Sequence, residues 1–296
     1  MTPQRPLRPV TATEVESFWR DGVVCLRGVL PLDWLERMAA PVDEALRDPL
    51  TTDLSAFGHD LATTAGLEIL VDEAVVAKVA RRGHFHAGTD HWTRQRAFRD
   101  FAFDSPLPVI VADLLRSTKV NLYEDSVLVK EPGTQEKTAF HQDMAYFHLD
   151  GDRVCTSWVP LDPVTRETGA VQFVKGSHRW PRTFRPNMFV TTASLPDTEG
   201  EEVPDYFRER DQWDIVHWDT EPGDVTVHHA RTIHGADGNA SGTKRRRAIS
   251  VRYCGDDVVY KFKRGAPLKP HHSEVREGSI VDHAMCPVVY RVSALE

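Results

Sequence analysis

Apolar and polar positions along this chain change rhythm near residue 118. Before it, apolar residues recur at three- and four-residue steps. Leu35, Met38, Val42 and Leu46 keep that spacing and predict an amphipathic helix over roughly Trp34 to Arg47. Pro41 lies inside that span and is expected to kink or split it. Thr11 or Thr13 can cap a shorter helix that runs to about Arg20 and stops at Asp21-Gly22. Val23 to Val29 reads as a strand between these two helices. Ser105-Pro106 opens another helix, continued by Val109 to Leu115.

From Lys119 onward the pattern becomes one of short apolar or alternating runs. Asn121 to Lys130, Thr138 to Tyr146, Val154 to Leu161, Gly169 to Val174, Asp214 to Trp218, Asp224 to His229 and Arg245 to Cys254 all read as strands. Pro132-Gly133, Asp150-Gly151 and Pro222-Gly223 punctuate them as turns. Many short strands with such turns predict an antiparallel sandwich or barrel, a mainly β core with flanking helices. Residues 181–212 break the rhythm, are rich in Pro, Glu and Arg, and are a candidate lid. The tail from Val258 is expected to wrap the core.

Composition narrows the function classes. The 296 residues carry a formal net charge of −8, which argues against nucleic acid and anionic membranes as partners. No apolar run approaches the ~20 residues that span a bilayer. The first ten residues lack the apolar centre of an export signal. The four cysteines, Cys25, Cys155, Cys254 and Cys286, are widely spaced and are expected to stay reduced. A cytoplasmic protein acting on a small molecule is the expectation.

The candidate chemistry centres on Phe140-His141-Gln142-Asp143. On an extended strand, residues two apart share a face, so His141 and Asp143 would aim an imidazole and a carboxylate at one spot. Two histidines and one carboxylate on one face of an octahedron suit iron(II), with positions left open for chemistry. The third donor is sought in His228-His229-Ala230-Arg231-Thr232-Ile233-His234. His234 is favoured over His229 because it stands at a strand end, where a cavity mouth would be. His84, His86 and His91 form a second cluster, read as a solvated or substrate-facing loop. In Arg245-Arg246-Arg247, alternation sends Arg246 to one face and its neighbours to the other. An inward Arg246 could hold the far carboxylate of a dicarboxylic co-substrate with a two-pronged hydrogen bond.

With these residues in order, the chain resembles the phytanoyl-CoA dioxygenase family of iron(II)/2-oxoglutarate oxygenases. The resemblance is carried by Lys130-Glu-Pro-Gly, Phe140-His-Gln-Asp, Ser157-Trp158-Val-Pro-Leu, Gly176-Ser-His178, Pro222-Gly223-Asp224, His234-Gly235 with Asn239, and Arg246-Arg-Ala-Ile-Ser250. It runs from about residue 12 to about residue 255. It implies a double-stranded β-helix, a jelly-roll-like core. The whole chain is then expected to form a single oxygenase domain. Its parts would be N-terminal helices over about 11–117, a β-helix core over about 119–255 with its insertion at about 181–212, and a tail over 256–296.

The resemblance also implies roles. His141, Asp143 and His234 would hold Fe(II). Arg246 would pair with the far carboxylate of 2-oxoglutarate, although a count forward from His234 also allows Arg245. Trp158, Thr138 and Ser126 would lie near that co-substrate. Many relatives carry a serine two residues after the distal histidine, where this chain has Ala236. Asp143 retains the carboxylate that halogenating relatives lack, so O2 would be used for hydroxylation of a small molecule, with release of succinate and CO2. Two rivals remain: a cupin-like metalloenzyme that does not use 2-oxoglutarate, and a catalytically silent binding protein of the same fold.

Overall fold

The computed structural model describes residues 3–55 and 83–292. Helix α1 (Ala12–Asp21) starts at a capping box. The Thr11 hydroxyl accepts from the Glu14 amide at 3.2 Å, and the Glu14 carboxylate accepts from the Thr11 amide at 2.8 Å. It ends at Gly22 in the left-handed region, as the Asp-Gly pair predicts. Strand β1 (Val23–Leu26) follows, shorter than expected. Helix α2 (Leu32–Ala45) stays one helix through Pro41. The buried stripe of Leu35, Met38, Val42 and Ala45 holds both halves against the core, which offsets the missing backbone hydrogen bond. Strands β2 (Thr51–Asp53) and β3 (Phe85–Thr89) form an edge pair, and helices α3 (Arg96–Asp104) and α4 (Leu107–Leu115) complete the helical layer.

The remaining strands are β4 (Lys119–Lys130), β5 (Thr138–His141), β6 (Leu149–Asp150), β7 (Val154–Pro160), β8 (Val171–Val174), β9 (Ile215–His217), β10 (Val225–His229), β11 (His234–Ala236), β12 (Arg246–Cys254), β13 (Val259–Tyr260) and β14 (Val288–Arg291). The larger sheet runs β1-β10-β7-β12-β4-β3-β2, with β14 also paired to β4. The smaller runs β5-β11-β8-β9, and β13 pairs with β6. All pairings between these strands are antiparallel. This is the mainly β, double-stranded β-helix core with flanking helices that the strand rhythm and the resemblance predicted.

Alternation along β12 shows how the layers divide. Ile249, Val251 and Tyr253 join the helices in the main apolar core. Arg246, Ser250 and Arg252 point the other way, into the space between the two sheets, and are also buried. The polar face of this strand is therefore an internal cavity wall. Each β12-type strand contributes apolar residues to one side and chemistry to the other.

Three differences from the sequence reading stand out. The Thr138–Tyr146 strand stops at His141, and Asp143 opens a 3-10 turn through Ala145. Strands β3, β11 and β14 are short or irregular in composition and carry no clear alternation. The insertion at 181–212 has no β-strand or α-helix, yet Phe184, Val203 and Tyr206 anchor it in an apolar cluster with Phe140, Val174 and Ile233. Among the described residues, no helix is long and apolar enough to cross a membrane.

Candidate functional site

His141 and His234 face each other as register partners on β5 and β11. Gly235 lets these strands close, because a Cβ there would sit 2.9 Å from the Thr138 carbonyl oxygen and 3.0 Å from the Phe140 ring. Gln142 keeps extended angles, φ −109° and ψ 131°, so Asp143 still reaches the side on which His141 lies. One ligand atom from each of His141, Asp143 and His234 lies within 4.8 Å of the other two. All three residues are buried.

The hydrogen bonds around this trio settle which atoms are free. His141 Nδ1 donates to the Ala139 carbonyl at 2.8 Å and His234 Nδ1 donates to the Thr232 carbonyl at 2.9 Å. Each ring thus keeps its proton on Nδ1 and turns an Nε2 lone pair towards Asp143 Oδ1, at 3.5 and 3.7 Å. The other carboxylate oxygen, Oδ2, is committed elsewhere. It accepts from the Thr156 hydroxyl at 2.5 Å and from His228 Nε2 at 3.3 Å, with Arg252 Nε at 3.9 Å.

Electrostatics support the same state. Burial opposes an ionised Asp143, but the Arg252 charge and the hydrogen bonds outweigh it and hold the carboxyl well below the usual range. Burial, then the neighbouring His228 and His141, keeps His234 well below its ordinary value and so neutral. Two imidazole Nε2 atoms and one carboxylate oxygen converge on one point. That donor set fits an iron(II)-type ion with open coordination positions.

Beside the trio lies a narrow cavity lined by Thr138, Trp158, Ala236, Arg246 and Ser250. Arg246 is almost fully buried. Among the described residues, its Nε has no hydrogen-bond partner, and Nη1 reaches only the Leu128 carbonyl, at 3.5 Å. The guanidinium stands 5.7 Å from the Trp158 ring, and burial pushes its pKa down to about 10. Trp158 Nε1 and Ser250 Oγ are buried without partners as well. A buried cation without a counter-charge is costly, and these unused donors together call for an anion. A dicarboxylate held between Arg246 and the metal position would satisfy them.

The structure sorts the other candidates by face. Arg245 and Arg247 turn outward, Arg245 to Asp43 and Glu131 and Arg247 to Asp162. His229 points into the helical layer, among Phe18, Trp19 and His178. Ser126 lines a second, larger cavity instead of the narrow one, and its hydroxyl is held by Arg252 Nη1. His84 and His86 lie on the outside of β3 with Asp53, while His91 is buried and bonded to Thr51 at 3.2 Å. Thr156 and Arg252 went unnoticed in the sequence, and His228 entered only as part of the stretch searched for the third donor. The signal was there for Arg252, six residues after Arg246 and so on the same strand face, but a lone Thr in an apolar run carries none.

The larger cavity, about 520 Å³, opens onto His141 and Asp143. Phe189 of the insertion packs 5.3 Å from the His141 ring, and Tyr146 packs 5.6 Å from it. In the same insertion, Arg182 pairs with Glu201 and Arg185 donates to the Gly200 carbonyl.

The chain is similar to known proteins along most of its length. It is 28% identical over 155 residues to the "Probable phytanoyl-CoA dioxygenase" of Caenorhabditis elegans, covering 50% of this chain and 48% of that protein. The chain thus spans about half the length of that relative. It is 28% identical over 229 residues to the 1-deoxypentalenic acid 11-beta-hydroxylase of Streptomyces arenae, covering 74% of this chain and 72% of that one. Its fold matches the epimerase SnoN, solved with Fe3+, alpha ketoglutarate and nogalamycin RO. The TM-score is 0.66 at 22% identity, over 94% of this chain and 97% of that one. The phytanoyl-CoA dioxygenase (PhyH) family model matches residues 18–248, so the chain belongs to that family.

Proposed function

We propose that this chain is an iron(II)- and 2-oxoglutarate-dependent dioxygenase that hydroxylates an unactivated C–H bond of a small molecule. His141, Asp143 and His234 hold the metal, and Arg246 holds the far carboxylate of 2-oxoglutarate, with Trp158, Ser250 and Thr138 around it. When bound, the iron and 2-oxoglutarate supply O2 activation: R–H, 2-oxoglutarate and O2 become R–OH, succinate and CO2. The protein's own part is placement. Thr156, His228 and Arg252 hold Asp143 Oδ2, which leaves Oδ1 for the metal and keeps the other positions open. Phe189 and Tyr146 pack on His141 and limit water on its side towards the larger cavity.

The observation that carries this reading is the buried Arg246, without a counter-charge among the described residues, in the same cavity as both metal-facing histidines. A metalloenzyme that did without a dicarboxylate would have no use for that cation. The four free cysteines suit a reducing compartment and support a cytoplasmic setting. The test is an anaerobic titration of the chain with Fe(II) and then 2-oxoglutarate, followed by succinate release across a panel of small molecules. A visible metal-to-ligand charge-transfer band that appears only with both additions is expected. No band, or O2 uptake indifferent to 2-oxoglutarate, would overturn the assignment.

A further inference from the structure

The larger cavity carries information about substrate class, an inference that rests on the function proposed above. Three distant segments meet in its wall: Asp90 after β3, Glu124 on β4, and Lys269 from the tail. Lys269 Nζ lies 2.8 and 2.7 Å from the two oxygens of Asp90 and 2.8 Å from Glu124 Oε2. Glu124 Oε1 lies 3.5 Å from Arg252 Nη1. Asp90 takes left-handed backbone angles, φ 62° and ψ 27°, which Asp and Asn tolerate better than most residues.

We propose that Asp90, Lys269 and Glu124 form the polar recognition element of the substrate chamber. It selects a compact, largely apolar molecule that carries a hydroxyl or ammonium donor and no free acid group. Lys269 and Arg252 are the two cations that line the chamber among the described residues, and each already faces carboxylates. The ammonium has three N–H groups, all engaged by Asp90 and Glu124. The two carboxylates together offer about eight acceptor sites, more than these contacts use. Among the described residues, the wall therefore has carboxylate acceptors to spare, and both of its cations already face carboxylates. An alcohol or amine finds partners there; a carboxylate or phosphate meets like charge. Leu50, Leu54, Leu128, Phe147, Phe189 and Pro267 make much of the remaining described lining apolar, interrupted by hydroxyls such as those of Thr52, Thr89 and Tyr123.

Three probes that share one apolar cage test this: 1-adamantanol, 1-adamantylamine and 1-adamantanecarboxylate. Each is titrated calorimetrically into the full chain, with and without Fe(II) and 2-oxoglutarate under anaerobic conditions. The alcohol and the amine are expected to bind about tenfold or more tighter than the carboxylate. Asp90→Asn, which keeps the left-handed backbone, should weaken the amine about tenfold. Lys269→Met should tighten the amine and not the alcohol, because the ligand's ammonium takes the vacated place. Carboxylate binding as tight as the alcohol, binding of none of the three, or an amine affinity unmoved by both variants would overturn the proposal. A melting curve checks that each variant folds, and if one does not, the wild-type ranking and the other variant decide. Loss of the 2-oxoglutarate band with the probe ranking intact would count against the proposed function alone.

Discussion

Two groups in this molecule share one composition, two histidines and an aspartate. His141, Asp143 and His234 lie between the sheets, and Asp53, His84 and His86 lie on the outside of the β2–β3 edge. In both, the three ligand atoms sit within 4.8 Å of one another. What separates them is their surroundings. In the outer group, His84 Nδ1 is bonded directly to Asp53 Oδ2 at 2.7 Å, with His84 exposed and Asp53 half-buried. Asp53 Oδ1 also accepts from the Ser55 amide at 3.0 Å, so both oxygens of that carboxylate are already engaged. In the inner group, both Nδ1 atoms are tied to backbone carbonyls and Asp143 Oδ2 is tied to Thr156 and His228. The atoms left over all face one point. A metal site is thus defined less by its donors than by what occupies their other valences.

That contrast can be broken most sharply by deleting the two carboxylates in turn. Asp143→Ala should abolish the iron- and 2-oxoglutarate-dependent absorption and succinate release, while Asp53→Ala should leave both in place. Equal losses in the two variants would mean the groups had been ranked wrongly. The next largest effect belongs to Arg246→Leu, expected to raise the KM for 2-oxoglutarate about 10- to 100-fold, in line with the loss of charge-assisted hydrogen bonds. The same change at Arg245 should be close to silent, since its partners are Asp43 and Glu131 near the surface.

A finer test targets the inner group's supports. Thr156→Val and His228→Phe should each weaken Fe(II) binding about 10- to 100-fold, read by competition with a chelator of known affinity. Retention of full affinity would show that Asp143 needs no such anchoring.

The smallest effect separates His228 from its neighbour His229, which points into the helical layer. Burial, then the charges of His178 and Arg231, pushes the His229 pKa down to about 3 from an ordinary 6.5. The unfolded chain takes up a proton near pH 6.5 and the folded chain does not until about pH 3, so between these values the unfolded state binds more protons. This contribution to stability is therefore full above pH 6.5 and declines as pH falls towards 3. Urea midpoints measured from pH 7.5 to 5 should drop, and drop less in His229→Gln. A flat profile in the wild type would contradict this.

Much of the fold was legible because local rules and tertiary packing agree. Thr11 and Gly22 delimit α1 by capping chemistry that operates within one turn of chain. The strands that proved longest, β4, β7 and β12, are those with sustained apolar alternation. Strand β11 is three residues long, His-Gly-Ala, and is a strand only because β5 and β8 flank it. No local signal could announce it. The Thr138–Tyr146 run misled because its composition favours a strand throughout, while the chain must turn at Asp143 to bring its carboxylate under Thr156 and His228.

The same division holds for the site. The residue types in the chain, with their spacing, were enough to name a His-x-Asp pair, a distal histidine and an arginine opening a strand, because alternation decides which side chains share a face. Local spacing cannot say which strands from opposite sheets meet, and that meeting decided the rest. It put His228, Thr156 and Arg252 on Asp143, moved Ser126 to the larger cavity, and left Arg246 buried beside unused donors. Those contacts join residues 13 to 126 positions apart. Their geometry follows from packing the whole core at once, so it exists only in the folded molecule.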